Sequence, residues 1–392
     1  MRRLLILASA ILVAACTTPP PASGPAPDGG GVYAPNANLH VEGIPPIPQP
    51  LVQALAPYTD FRGHGFMDWH PSRREMLVTH RPAGASTAQL YRLRAPMAAP
   101  EALTALNEPI QTARWDPREA RWIVIGRSVG GNEAQQLYRL DPDTLALTSF
   151  TPDDQRHSLN GFLNRRSLAI VSSVPLDRTA AGGSRASIDT TLWLADPMQP
   201  GWRQPIAQLP GGGWFDAEAA PDDRQIAITH YSSATESEVR LIDVASGERR
   251  RVLPEAGSSI RAAHFCNGFS PDGRHLYVSS DRAGEFRELF RLELASGQLQ
   301  RLSGHIPWDV SGGTMTRDGR WIVVQVNVDG SDHVRLFDGV SGRERPLPEL
   351  PAGNVGSTRF HEGTGELMFS LANARGPGQP YTLDIASGRI EQ

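Results

Sequence analysis

The sequence contains no lysine, so all 38 of its basic residues are arginine. Lysine forms the Schiff bases of several enzyme classes, activates the nucleophile in Ser–Lys dyads and holds phosphate groups in P-loops. The absence of lysine therefore excludes these three kinds of site.

A long apolar run is missing as well, since no stretch of about 18 apolar residues is present that would span a membrane in the mature chain. The first sixteen residues have a different pattern. Met1-Arg2-Arg3 is basic, residues 4–13 are apolar, and small residues then lead to Cys16. This resembles a bacterial lipoprotein signal. The resemblance implies that residues 1–15 are removed and that Cys16 is lipidated.

Thr17 follows the cysteine, where an aspartate usually retains lipoproteins in the inner membrane. We therefore expect a lipid anchor at the periplasmic face of the outer membrane. Residues 16–38 are rich in proline, glycine and serine and include Pro19-Pro20-Pro21. Such a composition cannot bury a core, so it predicts a flexible tether before a folded domain at residues 39–392.

Cysteine is scarce, with Cys16 and Cys266 as its two positions. If Cys16 carries a lipid, Cys266 has no partner for a disulfide within the chain. Its neighbours His264-Phe265-Cys266-Asn267 alternate as in a strand. We expect Cys266 to be a small buried apolar side chain and not a reactive thiol.

The net charge of the chain indicates which kinds of molecule it can bind. Thirty-eight basic and 42 acidic residues give a net charge of -4. Nucleic-acid binding needs a basic face, so this balance disfavours nucleic acid as a partner. We expect a protein or peptide of the cell envelope as ligand, and the membrane as a partner through the N-terminal lipid.

A repeat unit recurs through the folded part. Its clearest copy has the turn Ser270-Pro271-Asp272-Gly273, then an apolar strand near residues 276–278 and further strands at residues 289–294 and 300–302. Successive copies are 45 to 57 residues apart. The residue that marks the turn of each copy is Pro71, Pro117, Asn164, Pro221, Pro271, Arg317 or Glu362.

Units of this length with four short strands predict propeller blades, and seven units predict a seven-bladed, all-β propeller. Blades packed side by side bury both faces of each sheet, which a single sheet cannot do. Trp122, Trp193 and Trp321 occupy strand positions and are expected to pack between blades. The longest spacing contains residues 179–187, which we expect to be a surface insertion.

Closure of the ring raises one question. Only Glu391 and Gln392 follow Ile390, so we expect the last blade to lack its outer strand at the C-terminal end. Residues 39–43 precede the first blade and could supply that strand, since an open blade edge invites aggregation.

Several short motifs follow one another along residues 40–392. They include Asp68-Trp69-His70-Pro71, Gln89-Leu90-Tyr91, Gly130-Gly131-Asn132-Glu133, Ser280-Asp281-Arg282-Ala283-Gly284-Glu285-Phe286, Pro307-Trp308-Asp309-Val310, and Asn327-Val328-Asp329-Gly330. In this order they resemble the N-terminal propeller of the prolyl oligopeptidase family of serine peptidases, in particular its dipeptidyl- and acylaminoacyl-peptidase-like members. The Ser-Pro-Asp-Gly-Arg turn is also similar to TolB-type propellers.

In that family an α/β-hydrolase domain follows the propeller and carries the catalytic serine, aspartate and histidine. The chain ends at Gln392, where such a domain would begin, and the alternation of strands and helices is missing. Gly182-Gly183-Ser184-Arg185-Ala186 fails as a Gly-x-Ser-x-Gly nucleophile elbow at its last position. We therefore expect no nucleophile elbow, no catalytic residues and no hydrolase activity of the chain's own.

Metal and cofactor sites are not expected. The eleven histidines lack the spacings of metal ligands, and the closest pair of interest, His64 and His70, suits turn and core roles. Residues 327–332 resemble a calcium loop, but their glycine is at the fourth position and not at the sixth. A hairpin turn is the better interpretation.

Loops carry what is free for recognition, because propeller strands use their side chains for packing. The polar, charged and aromatic loops at residues 130–133, 281–286 and 305–309 are therefore the candidate binding surface. We expect them to converge at one rim or the channel mouth, where acidic groups would favour a cationic group such as a peptide amino terminus. The candidate binding residues are Asn132, Glu133, Asp281, Glu285, Trp308 and Asp309.

Three functions remain open from the sequence. The first is a non-catalytic lipoprotein propeller that binds or gates a ligand. The second is a truncated prolyl oligopeptidase-family peptidase, or the propeller partner of a separately encoded hydrolase. The third is a propeller enzyme with its site in the channel, which would need a cluster of acidic or histidine residues there.

Overall fold

The computed structural model describes residues 31–177, 179 and 188–392. Cys16 and most of the expected insertion at residues 179–187 lie outside the described residues. The chain divides into two units, residues 1–61 and 62–392.

The described part of the first unit contains one helix, α1 (Gln49–Thr59), and an isolated β-bridge between Val32 and Pro48. Pro50 stands in the first turn of α1, where a missing N–H breaks no helical hydrogen bond. The helix buries none of its residues. Within the described residues, no helix is long and apolar enough to cross a membrane.

The second unit consists of seven four-stranded antiparallel sheets, each formed by four strands that are consecutive in the chain. We number these sheets blades 1 to 7. The strands of blades 1 to 4 are β1 (His64–Trp69), β2 (Met76–His80), β3 (Gln89–Leu93), β4 (Glu101–Ala102); β5 (Thr112–Trp115), β6 (Ile123–Arg127), β7 (Gln136–Leu140), β8 (Leu147–Ser149); β9 (Gln155–Phe162), β10 (Ala169–Pro175), β11 (Thr190–Ala195), β12 (Arg203–Leu209); β13 (Trp214–Ala219), β14 (Gln225–Ser233), β15 (Glu236–Asp243) and β16 (Arg249–Leu253). Those of blades 5 to 7 are β17 (His264–Phe269), β18 (His275–Ser280), β19 (Glu288–Glu293), β20 (Leu299–Arg301); β21 (Val310–Met315), β22 (Trp321–Val328), β23 (Ser331–Asp338), β24 (Glu344–Arg345); β25 (Asn354–Phe360), β26 (Leu367–Asn373), β27 (Gly376–Leu383) and β28 (Ile390–Glu391).

The apolar cores lie between neighbouring blades. Six clusters of buried side chains each combine residues of two adjacent blades. In one of them, Ile170 and Leu192 of blade 3 join Ile228 of blade 4. Trp122 and Trp193 are buried and Trp321 is partly buried in such clusters, as the sequence predicts. The seven-bladed propeller is thus confirmed.

Blades 1 and 7 are neighbours in space, so the blades form a closed ring. Trp69 of blade 1 donates its indole N–H to the carbonyl of Arg359 in blade 7 at 3.3 Å. The same indole packs edge-on against His361, with 4.9 Å between the ring centroids.

The expectation that the last blade lacks its outer strand is wrong. Blade 7 has four strands with β28 at its edge, and residues 39–43 form no strand. The turn markers fall between the first and second strands of each blade, so counting from them displaced every blade by one strand. Most first strands escaped notice because six of the seven have an irregular register against their second strand, which breaks the period-two pattern. The alternating residues 264–267, which lie on β17, are an exception.

Two local predictions are confirmed. Asp329 and Gly330 form the two-residue hairpin turn between β22 and β23, with φ of 50° and 83° at these positions. Cys266 lies on β17 with 4% of its surface exposed, and burial raises the pKa of its thiol.

Candidate functional site in the central channel

The first strand of each blade borders the central channel of the ring. Contacts between first strands of adjacent blades, such as β1 with β5 and β13 with β17, show that these strands are innermost. Their water-accessible side chains therefore face the channel. The residue three positions before the turn marker is equivalent in all seven first strands. It is occupied by Asp68, Arg114, Gly161, Glu218, Gly268, Thr314 and Arg359.

Two arginines share one carboxylate on one side of this ring. Asp68 Oδ1 lies 3.4 Å from Arg114 Nη1 of blade 2 and 3.4 Å from Arg359 Nη1 of blade 7. Asp68 Oδ2 accepts the backbone N–H of Trp115 at 2.9 Å. Burial raises the pKa of Asp68, and the charge of Arg359 opposes that rise. The two half-exposed guanidinium groups carry one more positive charge than Asp68 neutralises.

Blade 4 contributes two carboxylates to the channel wall. Asp216 and Glu218 both lie on β13 and are accessible to water. Neither makes an ion pair or a side-chain hydrogen bond with any residue that the structure describes. Asp216 has a φ of 53° in the irregular part of the strand, where the register against β14 shifts between Phe215 and Glu218.

The surrounding channel wall perturbs both acids. Burial raises the pKa of Asp216 to about 6. Burial and the negative charge of Asp216 together raise the pKa of Glu218 to about 7. The side chains nevertheless remain accessible to water, because the wall surrounds them without closing over them. A cation placed between the two carboxylates would offset their repulsion.

The charges on the wall are unevenly distributed. In a ring of seven, blade 4 lies opposite the junction of blades 7 and 1, which holds Arg359 and Asp68. The channel therefore has an acidic side at Asp216 and Glu218 and a basic side at Arg114 and Arg359. Such a channel orients a charged or dipolar ligand.

The three loops predicted as a binding surface lie at one end of the ring. We call this end the front face; it carries the loops between second and third strands and the connections between blades. Residues 130–133 join β6 to β7, residues 281–286 join β18 to β19, and residues 305–309 join β20 to β21. Because the strands of a meander alternate in direction, all three loops leave from the front face.

Two of these loops adjoin each other. Asp309 Oδ1 accepts the backbone N–H of Arg287 at 2.7 Å, and the rings of Phe286 and Trp308 lie 6.4 Å apart. Asp281 Oδ1 accepts the backbone N–H of Ala263 at 2.7 Å. Trp308 and Asp309 thus stabilise the loops at the junction of blades 5 and 6, whereas Asp281 stabilises the connection between blades 4 and 5.

The third loop does not join them. Asn132 and Glu133 are exposed on blade 2, three blades away from blade 5. Asn132 Oδ1 caps its own turn by accepting the N–H of Ala134 at 3.0 Å. Of the predicted residues, Glu133 and Glu285 are exposed carboxylates. The three loops thus share the front face, but the loop at residues 130–133 does not meet the other two.

One pentapeptide does match the nucleophile-elbow pattern, contrary to the expectation from the sequence. Gly126-Arg127-Ser128-Val129-Gly130 lies at the end of β6 and continues into a hairpin. An elbow places its serine on a turn from a strand into a helix. Ser128 is instead buried and donates its hydroxyl to Gln111 Oε1 at 3.2 Å. The match is therefore a sequence coincidence within a blade.

Serine–histidine contacts occur at two equivalent positions of the ring. His157 Nδ1 lies 2.6 Å from Ser173 Oγ in blade 3, and His264 Nδ1 lies 2.9 Å from Ser280 Oγ in blade 5. All four side chains are buried. Because the same pair recurs at matching positions of blades 3 and 5, we infer that it has a structural role and joins the first two strands of these two blades.

His64 and His70, the pair considered in the sequence, both contact other groups of blade 1. His64 stacks on His80 with ring centroids 4.3 Å apart, and His70 Nδ1 accepts backbone N–H groups of its turn. No group of three His, Cys, Asp or Glu side chains in the part of the chain that the structure describes is close enough to share a metal ion.

The chain is a seven-bladed β-propeller whose fold is similar to that of several enzymes. A prolyl endopeptidase has a TM-score of 0.68 at 11% identity, over 86% of this chain and 51% of that protein. A puromycin-hydrolyzing peptidase of Mycobacterium tuberculosis has a TM-score of 0.66 at 15% identity, over 84% and 52%. An oligogalacturonate lyase, solved in complex with manganese, has a TM-score of 0.62 at 15% identity, over 82% and 89%.

The chain thus spans about half the length of these peptidases and most of that of the lyase. At these identities the likeness concerns the fold. No protein-family model matches the chain. No curated protein matches it either.

Proposed function

We propose that the chain is a lipoprotein, anchored through Cys16 to the periplasmic face of the outer membrane, whose propeller binds a protein or peptide without catalysing a reaction. The observation that supports a binding role most directly is the acidic side of the channel. Asp216 and Glu218 face water there, and no cationic side chain in the part of the chain that the structure describes pairs with either of them. The proposed anchor rests on the sequence of residues 1–17.

The chemistry of the wall favours a ligand with a protonated amine, such as a peptide amino terminus. β13 begins at the front face with Trp214, so Asp216 and Glu218 lie about 7 and 13 Å along the strand, at about 3.3 Å per residue. An extended chain end entering from the front face reaches both. Each partly exposed ion pair contributes at most about 1 kcal/mol, so selectivity needs further contacts from the loops.

Affinity capture from an envelope extract tests the binding role. The full chain is compared with Asp216→Asn/Glu218→Gln in the channel and with Glu133→Gln/Glu285→Gln on the front face. We expect the channel variant to lose partners that the front-face variant retains. Circular dichroism verifies that all three proteins are folded. Identical partner sets from all three would contradict the proposal.

The anchor has its own test. Cells expressing the wild type or Cys16→Ser are labelled with a fatty acid, and their membranes are fractionated. We expect label and outer-membrane location for the wild type and the loss of both for the variant. Label that persists in Cys16→Ser would rule out this lipidation site, and it would leave the channel experiment unaffected.

A second candidate function is substrate gating for a hydrolase encoded separately. It is favoured by the likeness to peptidases of which this chain spans about half. A hydrolase reading frame directly downstream, and co-purification of its product with this chain, are the expected observations. Failure of the two proteins to associate would remove this candidate.

A further inference from the structure

A cavity lies on the outer side of the ring between blades 2 and 3, away from the channel. The outer strand of blade 2, β8, has 3 residues, whereas that of blade 3, β12, has 7. A gap of about 320 Å³ lies between the end of β8 and the start of β12. This volume is at the lower end of the range for small-molecule sites, about 300–1,000 Å³. We call the gap the blade 2–3 cleft.

The base of the cleft is apolar and rigid. Phe150 and Trp193 line it and are almost completely buried. The indole N–H of Trp193 donates to Ser173 Oγ at 2.6 Å, which fixes the ring. Thr151 Oγ1 accepts the backbone N–H of Leu137 at 3.0 Å. The polar groups at the base are therefore already used within the two blades.

The wall of the cleft differs from its base. Trp202 lines it with 38% of its surface exposed, and its backbone N–H is held by the carbonyl of Gln199 at 2.9 Å. Among the residues that the structure describes, no aromatic ring packs on Trp202 and nothing bonds its indole N–H. Arg203 is the next residue in the chain. Its side chain is exposed and forms no ion pair with any of the described residues.

An indole and a guanidinium that line the same cleft are complementary to one kind of ligand. The flat indole face packs against a ring, and its N–H donates a hydrogen bond to a polar substituent. A guanidinium binds carboxylates with charge-assisted hydrogen bonds. The volume of the cleft, about 320 Å³, is sufficient for a ligand of one or two rings.

We propose that the blade 2–3 cleft binds a six-membered ring that carries a carboxylate, with the ring on Trp202 and the carboxylate on Arg203. A uronic acid and an aromatic acid both have this chemistry. The site is independent of the channel, so its ligand need not be that of the channel.

The indole N–H signals of the full chain, labelled with ¹⁵N-tryptophan, report on binding directly. Trp202→Phe assigns the signal of Trp202. Glucuronate and benzoate are titrated separately, with glucose as the uncharged control. We expect a saturable shift of the Trp202 signal with at least one of the two acids and none with glucose. Response to glucuronate alone identifies a sugar site, and response to benzoate alone an aromatic-acid site.

Arg203→Gln tests the role of the carboxylate. We expect it to weaken binding by about tenfold, because an exposed charge-assisted hydrogen-bond pair is lost. Arg250→Gln is the matched control, since Arg250 is an exposed arginine on the outer strand of blade 4 and is expected to leave affinity unchanged. Absence of a saturable shift with both acids, equal binding of glucose, or equal affinity of Arg203→Gln would each overturn the proposal.

Discussion

Arg74 and Glu366 lie 292 positions apart in the sequence and form a bidentate ion pair across the junction of the first and last blades. Arg74 Nε donates to Glu366 Oε2 at 2.8 Å, and Nη2 donates to Oε1 at 2.7 Å. Arg74 also bonds Glu391 on β28, the outer strand of blade 7. No strand is exchanged between the two blades, so side-chain contacts of this kind hold the ring closed.

Removal of this pair is expected to destabilise the propeller. Glu366 is buried, so Arg74→Ala leaves its carboxylate without its principal donor. We expect the free energy of unfolding to fall by about 2 kcal/mol, as for other hydrogen bonds to charged groups. Chemical denaturation followed by tryptophan fluorescence measures the change.

Arg317→Ala provides the control, because Arg317 and Glu362 form an exposed ion pair between blades 6 and 7 with 2.7 Å between Nη1 and Oε2. Exposed pairs contribute at most about 1 kcal/mol. If the two variants lost equal stability, the special role of the pair at the ring junction would be refuted.

Glu218 is expected to make stability depend on pH. Its pKa is raised from 4.5 to about 7 in the folded protein. The folded state therefore holds a proton that the unfolded state has released over this range, and the free energy of unfolding falls as pH rises through it. Glu218→Gln removes the ionisation, so the variant is expected to melt a few degrees above the wild type at pH 8 and at nearly the same temperature below pH 4.5.

Melting curves of both proteins between pH 4 and pH 9 measure this difference. Comparing the two cancels other titrations, such as those of His70 and His264, whose pKa burial lowers to about 4 in each case. Asp216 remains in the variant, and the burial that raises its pKa to about 6 is left in place by the substitution. A difference in melting temperature that is the same at every pH would contradict the proposed ionisation.

Ser128 is expected to be unreactive despite its Gly-x-Ser-x-Gly setting. Its hydroxyl is buried and bonded to Gln111, and its segment continues as a hairpin. A fluorophosphonate probe should therefore leave the native protein unlabelled, as it does Ser128→Ala. Stoichiometric labelling of the wild type that Ser128→Ala abolishes would show a nucleophile and would argue against a non-catalytic protein.

Sequence patterns predicted the second and third strands of the blades because these strands are apolar runs between turn residues. Ile123, Val124 and Ile125 on β6 are buried on both faces of their blade, which gives a continuous apolar run. Most first strands were missed, residues 264–267 on β17 excepted, because glycines and irregular register replace that pattern. β21, for example, contains Gly312 and Gly313 where its register against β22 shifts.

The acidic side of the channel was missed because the blades were counted from the turn that follows each first strand. Asp216 and Glu218 alternate with Phe215 and Ala217, which is a strand signal, but this segment was placed outside the counted strands. Loop composition led instead to Asp281 and Asp309, which turn out to cap loops. Sequence alone does not distinguish an acid that accepts backbone N–H groups from one that faces water without a partner.

Cys266 is expected to be inert until the propeller unfolds. It packs on β17 among buried side chains that include Val239 and Leu276, and its backbone N–H donates to Thr229 Oγ1 at 3.0 Å. Burial, with a smaller effect from the charge of Glu218, raises the pKa of the thiol, so almost no thiolate is present at neutral pH.

In the full-length Cys16→Ser variant, Cys266 is the remaining thiol. Iodoacetamide should therefore label this variant only in denaturant, at the midpoint at which tryptophan fluorescence reports unfolding. Labelling that is complete within minutes in native buffer would mean that β17 opens locally, and the channel wall of blades 4 and 5 would then be less rigid than these contacts require.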